Sequence, residues 1–173
     1  MNKITKVVGR QIFDSRGNPT IEAEVFCNLE SCKAICPSGA STGSYEAYEK
    51  RDTSNKKYNG KSVLASVKII NNKIFKALKN QNVHNQEKID HILIKLDGTK
   101  QKKKLGANSI LAVSMAVKKL SSKLNRIPLY KSFLVKKNFN LPLPLMNVIN
   151  GGVHANNGLR IQEFMIRPDK AKT

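Results

Sequence analysis

Residues 147–167 read Asn-Val-Ile-Asn-Gly-Gly-Val-His-Ala-Asn-Asn-Gly-Leu-Arg-Ile-Gln-Glu-Phe-Met-Ile-Arg, and they are the most informative part of the chain. Two apolar runs typical of strands, residues 144–149 and 161–166, flank a polar loop. His154 lies in that loop, and a Gln-Glu pair opens the second run. Polar groups around the ends of buried strands cost free energy unless something binds them. The stretch therefore predicts a ligand site at the end of a sheet.

The side chains of this stretch are open to more than one interpretation. A lone histidine beside a strand, such as His154, is more often a structural residue than a ligand contact. Glu163, which follows Gln162, has the chemistry of a general acid or base, or of a group that holds a catalytic water. Asn150 and the two glycines after it are expected to shape the exit from the first strand rather than to contact a ligand.

The first part of the chain has the pattern of an antiparallel meander. Residues 3–13 alternate loosely and predict a strand, and residues 14–19 are rich in turn formers. Residues 20–27 alternate cleanly, which is typical of a half-buried strand. Residues 31–36 predict a third strand, and three short strands in sequence favour an antiparallel sheet.

Helical patterns follow the strands. A short helix is expected over residues 45–51, and longer helices are expected over residues 61–79 and 87–96. Asn108 is a predicted N-cap for a further helix that ends at Leu124. In the longer helices the apolar residues recur every three or four positions, as on a helix face that packs against a core.

Composition indicates a soluble globular protein. Hydrophobic residues make up 40% of the chain and charged residues 25%, which argues against a disordered chain. No apolar run approaches the roughly 20 residues of a membrane span, and the first residues lack the apolar core of a signal peptide. The expected location is therefore cytoplasmic. Cys27, Cys32 and Cys36 are expected to be reduced, since their number and spacing fit neither a disulfide framework nor a zinc site.

The net charge of +19 is unusual, and it is unevenly distributed because no carboxylate lies between Asp97 and Glu163. One interpretation is a non-catalytic basic module that binds nucleic acid or acidic surface polymers. The other is a solvated lysine-rich surface. We favour the second, because stacking aromatic residues are not interleaved with the basic ones and no nucleic-acid motif is present. Binding of polyanions would then be weak and non-specific.

Four segments carry a resemblance to a known family. They are residues 14–20 (Asp-Ser-Arg-Gly-Asn-Pro-Thr), 37–43 (Pro-Ser-Gly-Ala-Ser-Thr-Gly), 105–111 (Leu-Gly-Ala-Asn-Ser-Ile-Leu) and the 147–167 stretch quoted above. Segments of this kind occur in the same order in enolases (phosphopyruvate hydratases) of bacterial type. The chain thus resembles the enolase family along its whole length.

The resemblance implies a fold and a division into domains. Residues 1–138 would form the enolase N-terminal domain, an α+β domain in which a three-stranded antiparallel meander is followed by helices. Residues 139–173 would be the first two strands of an enolase-type α/β barrel. A complete barrel of this kind typically takes about 250 residues, so we expect an incomplete one here.

The resemblance also implies an activity. Enolases are lyases of glycolysis that convert 2-phosphoglycerate to phosphoenolpyruvate with Mg²⁺ as cofactor, and they work in the cytoplasm, although some are also found at the cell surface or secreted. His154 and Glu163 match catalytic residues that lie at the substrate, and Gln162 matches a further substrate contact. The family's active-site loop matches Ser38, Gly39, Ala40, Ser41 and Thr42, and the serine that corresponds to Ser41 is a magnesium ligand.

Other residues of the family have no match in this chain. Its metal carboxylates, its lysine base and its main acid glutamate would lie beyond Thr173, so we expect the chain alone to be inactive. Arg10 and Arg16 match arginines that pair across the family's homodimer interface with glutamates of the later barrel, so we expect that dimer to be lost. Asn156 and Arg160 stand where enolases usually carry aspartates.

Overall fold

A computed structural model describes residues 2–39, 42–54, 56–133 and 141–170 of the chain. The chain divides into two compact units between Phe133 and Leu134. A three-stranded sheet and its helices form the first unit, and a two-stranded sheet lies in the second.

The sheet of the first unit consists of β1 (Lys6–Phe13), β2 (Pro19–Cys27) and β3 (Glu30–Cys36). Its strands are antiparallel and lie in the order β1-β2-β3, so the predicted meander is confirmed. The alternating residues of β2 form its buried face, which consists of Ile21, Ala23, Val25 and Cys27.

The turn between β1 and β2 is stabilised by Asp14. Its carboxylate accepts hydrogen bonds from the backbone N–H groups of Arg16 and Asn18, both at 2.9 Å. The backbone N–H of Asp14 also donates to the carbonyl of Asn18 at 2.9 Å. An aspartate that bonds to the backbone after it is a common way to fix a tight connection, as the sequence predicts here.

Four α-helices follow in the described part of the first unit: α1 (Leu64–Ile69), α2 (Phe75–Leu78), α3 (Gln86–Asp97) and α4 (Ala107–Leu124). Short 3₁₀ turns occur at Lys57–Gly60 and Leu129–Phe133. α4 packs against β2 and β3, and it contributes the buried residues Val113, Val117 and Leu120 to the core. No helix of the described residues is both long enough and apolar enough to cross a membrane.

The helix predicted over residues 61–79 is confirmed over Leu64–Leu78, but a π-helical turn, Ile70–Ile74, lies between its α-helical parts α1 and α2. The wider turn places the Asn71 side chain beside Gly9 in β1. Asn71 accepts a hydrogen bond from the Gly9 N–H at 2.7 Å and donates one to the Gly9 carbonyl at 3.3 Å. Backbone groups of an edge strand thereby find partners.

Two predictions, a helix over residues 45–51 and an N-cap at Asn108, are wrong for a shared reason. Residues 45–51 are not helical, and Asn108 is not an N-cap but lies inside α4. The carbonyl of Tyr48 accepts from the N–H of Ala107 at 2.8 Å, and the Asn108 amide bonds both the N–H and the carbonyl of Lys50, at 3.2 and 3.0 Å. Contacts with the start of α4 therefore replace the helical hydrogen bonds.

The second unit contains β4 (Met146–Asn150) and β5 (Glu163–Ile166), which pair antiparallel. Both are shorter than the predicted strands, and the pair does not close a barrel within residues 141–170. Large apolar side chains of both strands are exposed, among them Val148 and Met165. Exposed strands of this kind have free backbone edges that can pair with another segment.

Candidate functional site

Three of the predicted site residues meet in the second unit. Gly152–His154 forms a 3₁₀ turn just after β4, and Glu163 is the first residue of β5. His154 Nδ1 lies 3.2 Å from Glu163 Oε1, and His154 Nε2 lies 3.2 Å from the amide nitrogen of Gln162. Because an amide nitrogen can only donate, this pattern places the imidazole proton on Nδ1, from which His154 donates to Glu163.

The partial exposure of this cluster leaves it accessible to a small molecule in solution. The side chains of His154 and Glu163 are 21% and 32% exposed, so each is partly shielded and still accessible. A carboxylate and an imidazole in contact are groups that can accept, hold and return a proton. The arrangement can therefore serve proton transfer, or it can hold a water molecule at the carboxylate.

Two glycines allow the chain to reach this geometry. The N–H of Gly151 donates to the carbonyl of Gln162 at 2.9 Å, and the N–H of Gly152 donates to the carbonyl of Leu159 at 2.8 Å. A Cβ on Gly151 would lie 2.3 Å from the carbonyl oxygen of Ile161, so no other residue fits without a shift. Gly152 has φ of +53°, which also favours glycine.

The predicted active-site loop belongs to the first unit, and the structure describes only part of it. Ser38, Gly39 and Thr42 are described, whereas Ala40 and Ser41 lie outside the described residues. An open cavity of ≈ 320 Å³ adjoins the described part of the loop, and its lining includes Ser38, Gly39, Thr42, Glu46, Glu49 and Gln101.

Two residues that sequence analysis did not single out contact Ser38. Its hydroxyl donates to Glu49 Oε1 at 2.6 Å and accepts from Arg51 Nη2, also at 2.6 Å. Glu49 and Arg51 are themselves paired at 2.8 Å. We refer to Ser38, Glu49 and Arg51 as the Arg51 cluster. A Glu-x-Arg sequence is typical of any exposed surface and gives no signal of a site. The contact of both residues with Ser38 is seen only in the structure.

Arg10, which matches a family interface residue, is paired within its own sheet. Its guanidinium lies 3.0 Å from Glu22 and 2.7 Å from Glu24. The hydrogen bond to Glu24 is the main reason why the pKa of Arg10 is raised. Burial alone would raise the pKa of Glu24, but hydrogen bonds from Arg10 and Ser31 outweigh burial and lower it. The pair is thus ionised and satisfied without another subunit.

The three cysteines are free thiols in the described structure. Burial raises the pKa of Cys27, Cys32 and Cys36, which keeps the thiols protonated at neutral pH. A protonated thiol is a poor nucleophile and a poor metal ligand. The cysteines therefore do not contribute a second chemical site.

The described residues do not make up a magnesium site. Among residues 2–39, 42–54, 56–133 and 141–170, no three His, Cys, Asp or Glu side chains lie close enough together to hold a metal ion. Ser41, the expected ligand, lies outside the described residues. Magnesium normally takes carboxylate and other oxygen ligands, and the described residues alone do not bring such a set together.

The first unit has an antiparallel meander with helices packed on it, and the second has a strand pair that carries the His-Gln-Glu cluster. Both parts of the chain match domains of one protein family. Residues 4–133 match the family described as "Enolase, N-terminal domain", and residues 138–173 match "Enolase, C-terminal TIM barrel domain". The chain therefore belongs to the enolase family.

Individual enolases are similar to almost the whole of this chain. It is 70% identical to the enolase of Pelagibacter ubique over 172 residues. It is 53% and 52% identical to the enolases of Methanosarcina acetivorans and Methanosarcina mazei, each over 171 residues. These matches cover 99% of the chain but only 41%, 40% and 40% of the respective relatives. The chain thus spans about two fifths of the length of the curated relatives.

Proposed function

We propose that this chain supplies the N-terminal domain and the first barrel strands of an enolase that converts 2-phosphoglycerate to phosphoenolpyruvate in glycolysis. The observation that supports this most strongly is the contact of His154 with both Gln162 and Glu163. These are the residue types that the family brings to its substrate, and they meet in a chain that is 70% identical to a known enolase.

Each site residue has a proposed role. His154 and Glu163 are the catalytic residues: Glu163 assists proton transfer or holds water, and His154 fixes the carboxylate through its Nδ1 proton. Gln162 binds the substrate together with them. Ser38, Gly39, Ala40, Ser41 and Thr42 form the active-site loop.

Magnesium is the proposed cofactor, with Ser41 as one of its ligands. A bound magnesium ion stabilises negative charge that develops on a substrate. The proposal for Ser41 rests on the family resemblance alone. We also propose a cytoplasmic location and a domain division into residues 1–138 and 139–173 on the same ground.

The competing function, a non-catalytic basic module for nucleic acid or acidic polymers, has no support among the comparisons, because all the relatives named above are enolases. The charge of +19 remains a property of the surface. Attraction of polyanions by such a surface would be weak, non-specific and strongly reduced by salt.

An activity assay tests the proposed function. The chain alone should not dehydrate 2-phosphoglycerate at saturating magnesium, because the residues that the structure describes contain no cluster of carboxylates able to hold the metal. A fusion of residues 1–173 to the unmatched remainder of the Pelagibacter ubique enolase should form phosphoenolpyruvate, measured by its absorbance. If the chain alone turned over 2-phosphoglycerate rapidly, and Glu163→Gln abolished that activity, the rest of the barrel would not be needed and this prediction would be wrong.

The oligomeric state is a separate prediction. We propose that the chain alone does not form the family dimer, since Arg10 is satisfied within its own sheet. The exposed apolar residues of β4 and β5 favour self-association, whereas the charge of +19 opposes it at low salt. Light scattering across a salt series should therefore show a monomer that associates as salt increases. The prediction of a salt-dependent monomer would be refuted by a dimer that is present at every salt concentration and persists both in Arg16→Ala and after removal of residues 141–173.

A further inference from the structure

Residues 48–52 lie a few positions after the active-site loop, and bonds to other parts of the first unit anchor every second residue of this segment. The N–H of Tyr48 donates to the carbonyl of Gln101 at 2.7 Å. Lys50 is bonded at both backbone groups by the side chain of Asn108. Two residues further on, the Asp52 carboxylate accepts from the first N–H groups of α1. Glu49 and Arg51 lie between these anchored positions, so their side chains project from a fixed backbone.

The Arg51 guanidinium is held by two distant parts of the chain. One nitrogen, Nη1, donates to the carbonyl of Pro19 at 3.1 Å and to the carbonyl of Lys61 at 2.5 Å. The other, Nη2, donates to Ser38 Oγ and to Glu49 Oε1. Only 16% of the Arg51 side chain is exposed. Its position is therefore determined by the start of β2 and by the segment before α1.

The contact determines the direction of the Ser38 hydroxyl. Because Ser38 Oγ accepts a hydrogen bond from Arg51, its own proton points to Glu49. Both hydrogen bonds are short, at 2.6 Å, as is typical of bonds between a hydroxyl and a carboxylate or a guanidinium group. Ser38 is consequently held in one rotamer beside the ≈ 320 Å³ cavity.

We propose that Arg51 is a positioning residue that orients Ser38 and the backbone at Ser38 and Gly39 toward this cavity. The consequence for catalysis rests on the proposed enolase function, whereas the local geometry does not. An arginine is required because its planar fork can bond two carbonyls, a hydroxyl and a carboxylate together, and a lysine ammonium in the same place cannot reach all four.

Amide hydrogen exchange on the full chain tests the local claim. In Arg51→Lys we expect the hydrogen-bonded amides on either side of residue 51, those of Lys50 and Asp52, to exchange about tenfold faster while those of α4 are unchanged. Ser38→Ala should have a smaller effect in the same segment. Arg126→Lys is the matched control, since the same chemical change on an exposed arginine should alter neither region. Unchanged exchange in Arg51→Lys, or a uniform increase through α3 and α4, would overturn the proposal.

Kinetics of the fusion test the consequence for catalysis. We expect Arg51→Lys to lower kcat/KM about tenfold, with Arg126→Lys unchanged. If Arg51 acts through Ser38, the double variant should lose little more than Ser38→Ala alone, because the two changes are coupled. Fully additive losses, or no loss in Arg51→Lys, would overturn the positioning role. An inactive parent fusion would count against the proposed enolase function, while the exchange result would still decide the local claim.

Discussion

Replacing Glu163 by glutamine in the fusion is expected to lower kcat by about 10² to 10⁴, the range for loss of a group that transfers a proton. Glutamine keeps the shape of the side chain and its hydrogen bond to His154, but it can neither accept a proton nor carry a negative charge. The expected loss therefore measures the carboxylate chemistry rather than a packing change. The measurement is the initial rate of phosphoenolpyruvate formation at saturating substrate and magnesium.

Asp169→Asn is the matched control for Glu163→Gln. Asp169 lies in the same unit and is ion-paired with Arg167 at 2.6 Å, but both side chains are more than half exposed. Exposed pairs of this kind contribute little, about 0 to 1 kcal/mol, so kcat should not change. A Glu163→Gln fusion as active as the control variant would refute the proposed catalytic role of Glu163.

Asp97→Ala is expected to cause the largest loss of stability, about 3 kcal/mol. Asp97 is the last residue of α3, and it is fully buried. Its carboxylate accepts from the N–H of Leu105 at 2.7 Å, from the N–H of Thr99 at 2.9 Å and from the Thr99 hydroxyl. Alanine would leave the buried N–H of Leu105 and the partly buried donors of Thr99 without this acceptor. Urea unfolding measures the effect, and a loss below about 1 kcal/mol would contradict it.

The same carboxylate makes stability depend on pH. Burial alone would raise the pKa of Asp97, but hydrogen bonds, first from Leu105 and then from Thr99, outweigh burial and hold it below the ordinary 3.8. A lowered folded-state pKa means that the stabilisation is present above pH 3.8 and is lost as pH falls through the folded-state pKa. The unfolding free energy of Asp97→Asn should therefore fall less steeply than that of the wild type as the pH is lowered. The unfolding free energy of Asp169→Asn should fall as it does in the wild type. Parallel acid curves for wild type and Asp97→Asn would contradict this.

Elements with local signals were predictable from the sequence. The alternation in β2 predicts its buried face because a strand turns successive side chains to opposite sides. Asp97-Gly98 ends α3 because Gly98 has φ of +66°, which glycine adopts without strain. In the second unit, the motif around His154 identified three residues that are in contact, and it did so through the family resemblance.

Elements that depend on distant partners were not predictable. Residues 45–51 have a helical pattern, but the backbone partners of Tyr48 and Lys50 are supplied by residues more than 50 positions away, near the start of α4. The π-helical turn includes Asn71, which bonds to Gly9 on β1, a residue more than 60 positions away. The proposed role of Arg51 was likewise not predictable, because it depends on contacts with Ser38, Pro19 and Lys61 that only the fold creates.

The most direct test of the central claim is the initial rate of phosphoenolpyruvate formation by the unmodified fusion, measured as magnesium is increased. The intact Pelagibacter ubique enolase serves as the reference in the same assay. If residues 1–173 supply a working His154, Gln162 and Glu163, the rate should rise with magnesium to a kcat within about tenfold of the reference. A folded fusion with no turnover at any magnesium concentration, while the reference is active, would contradict the claim.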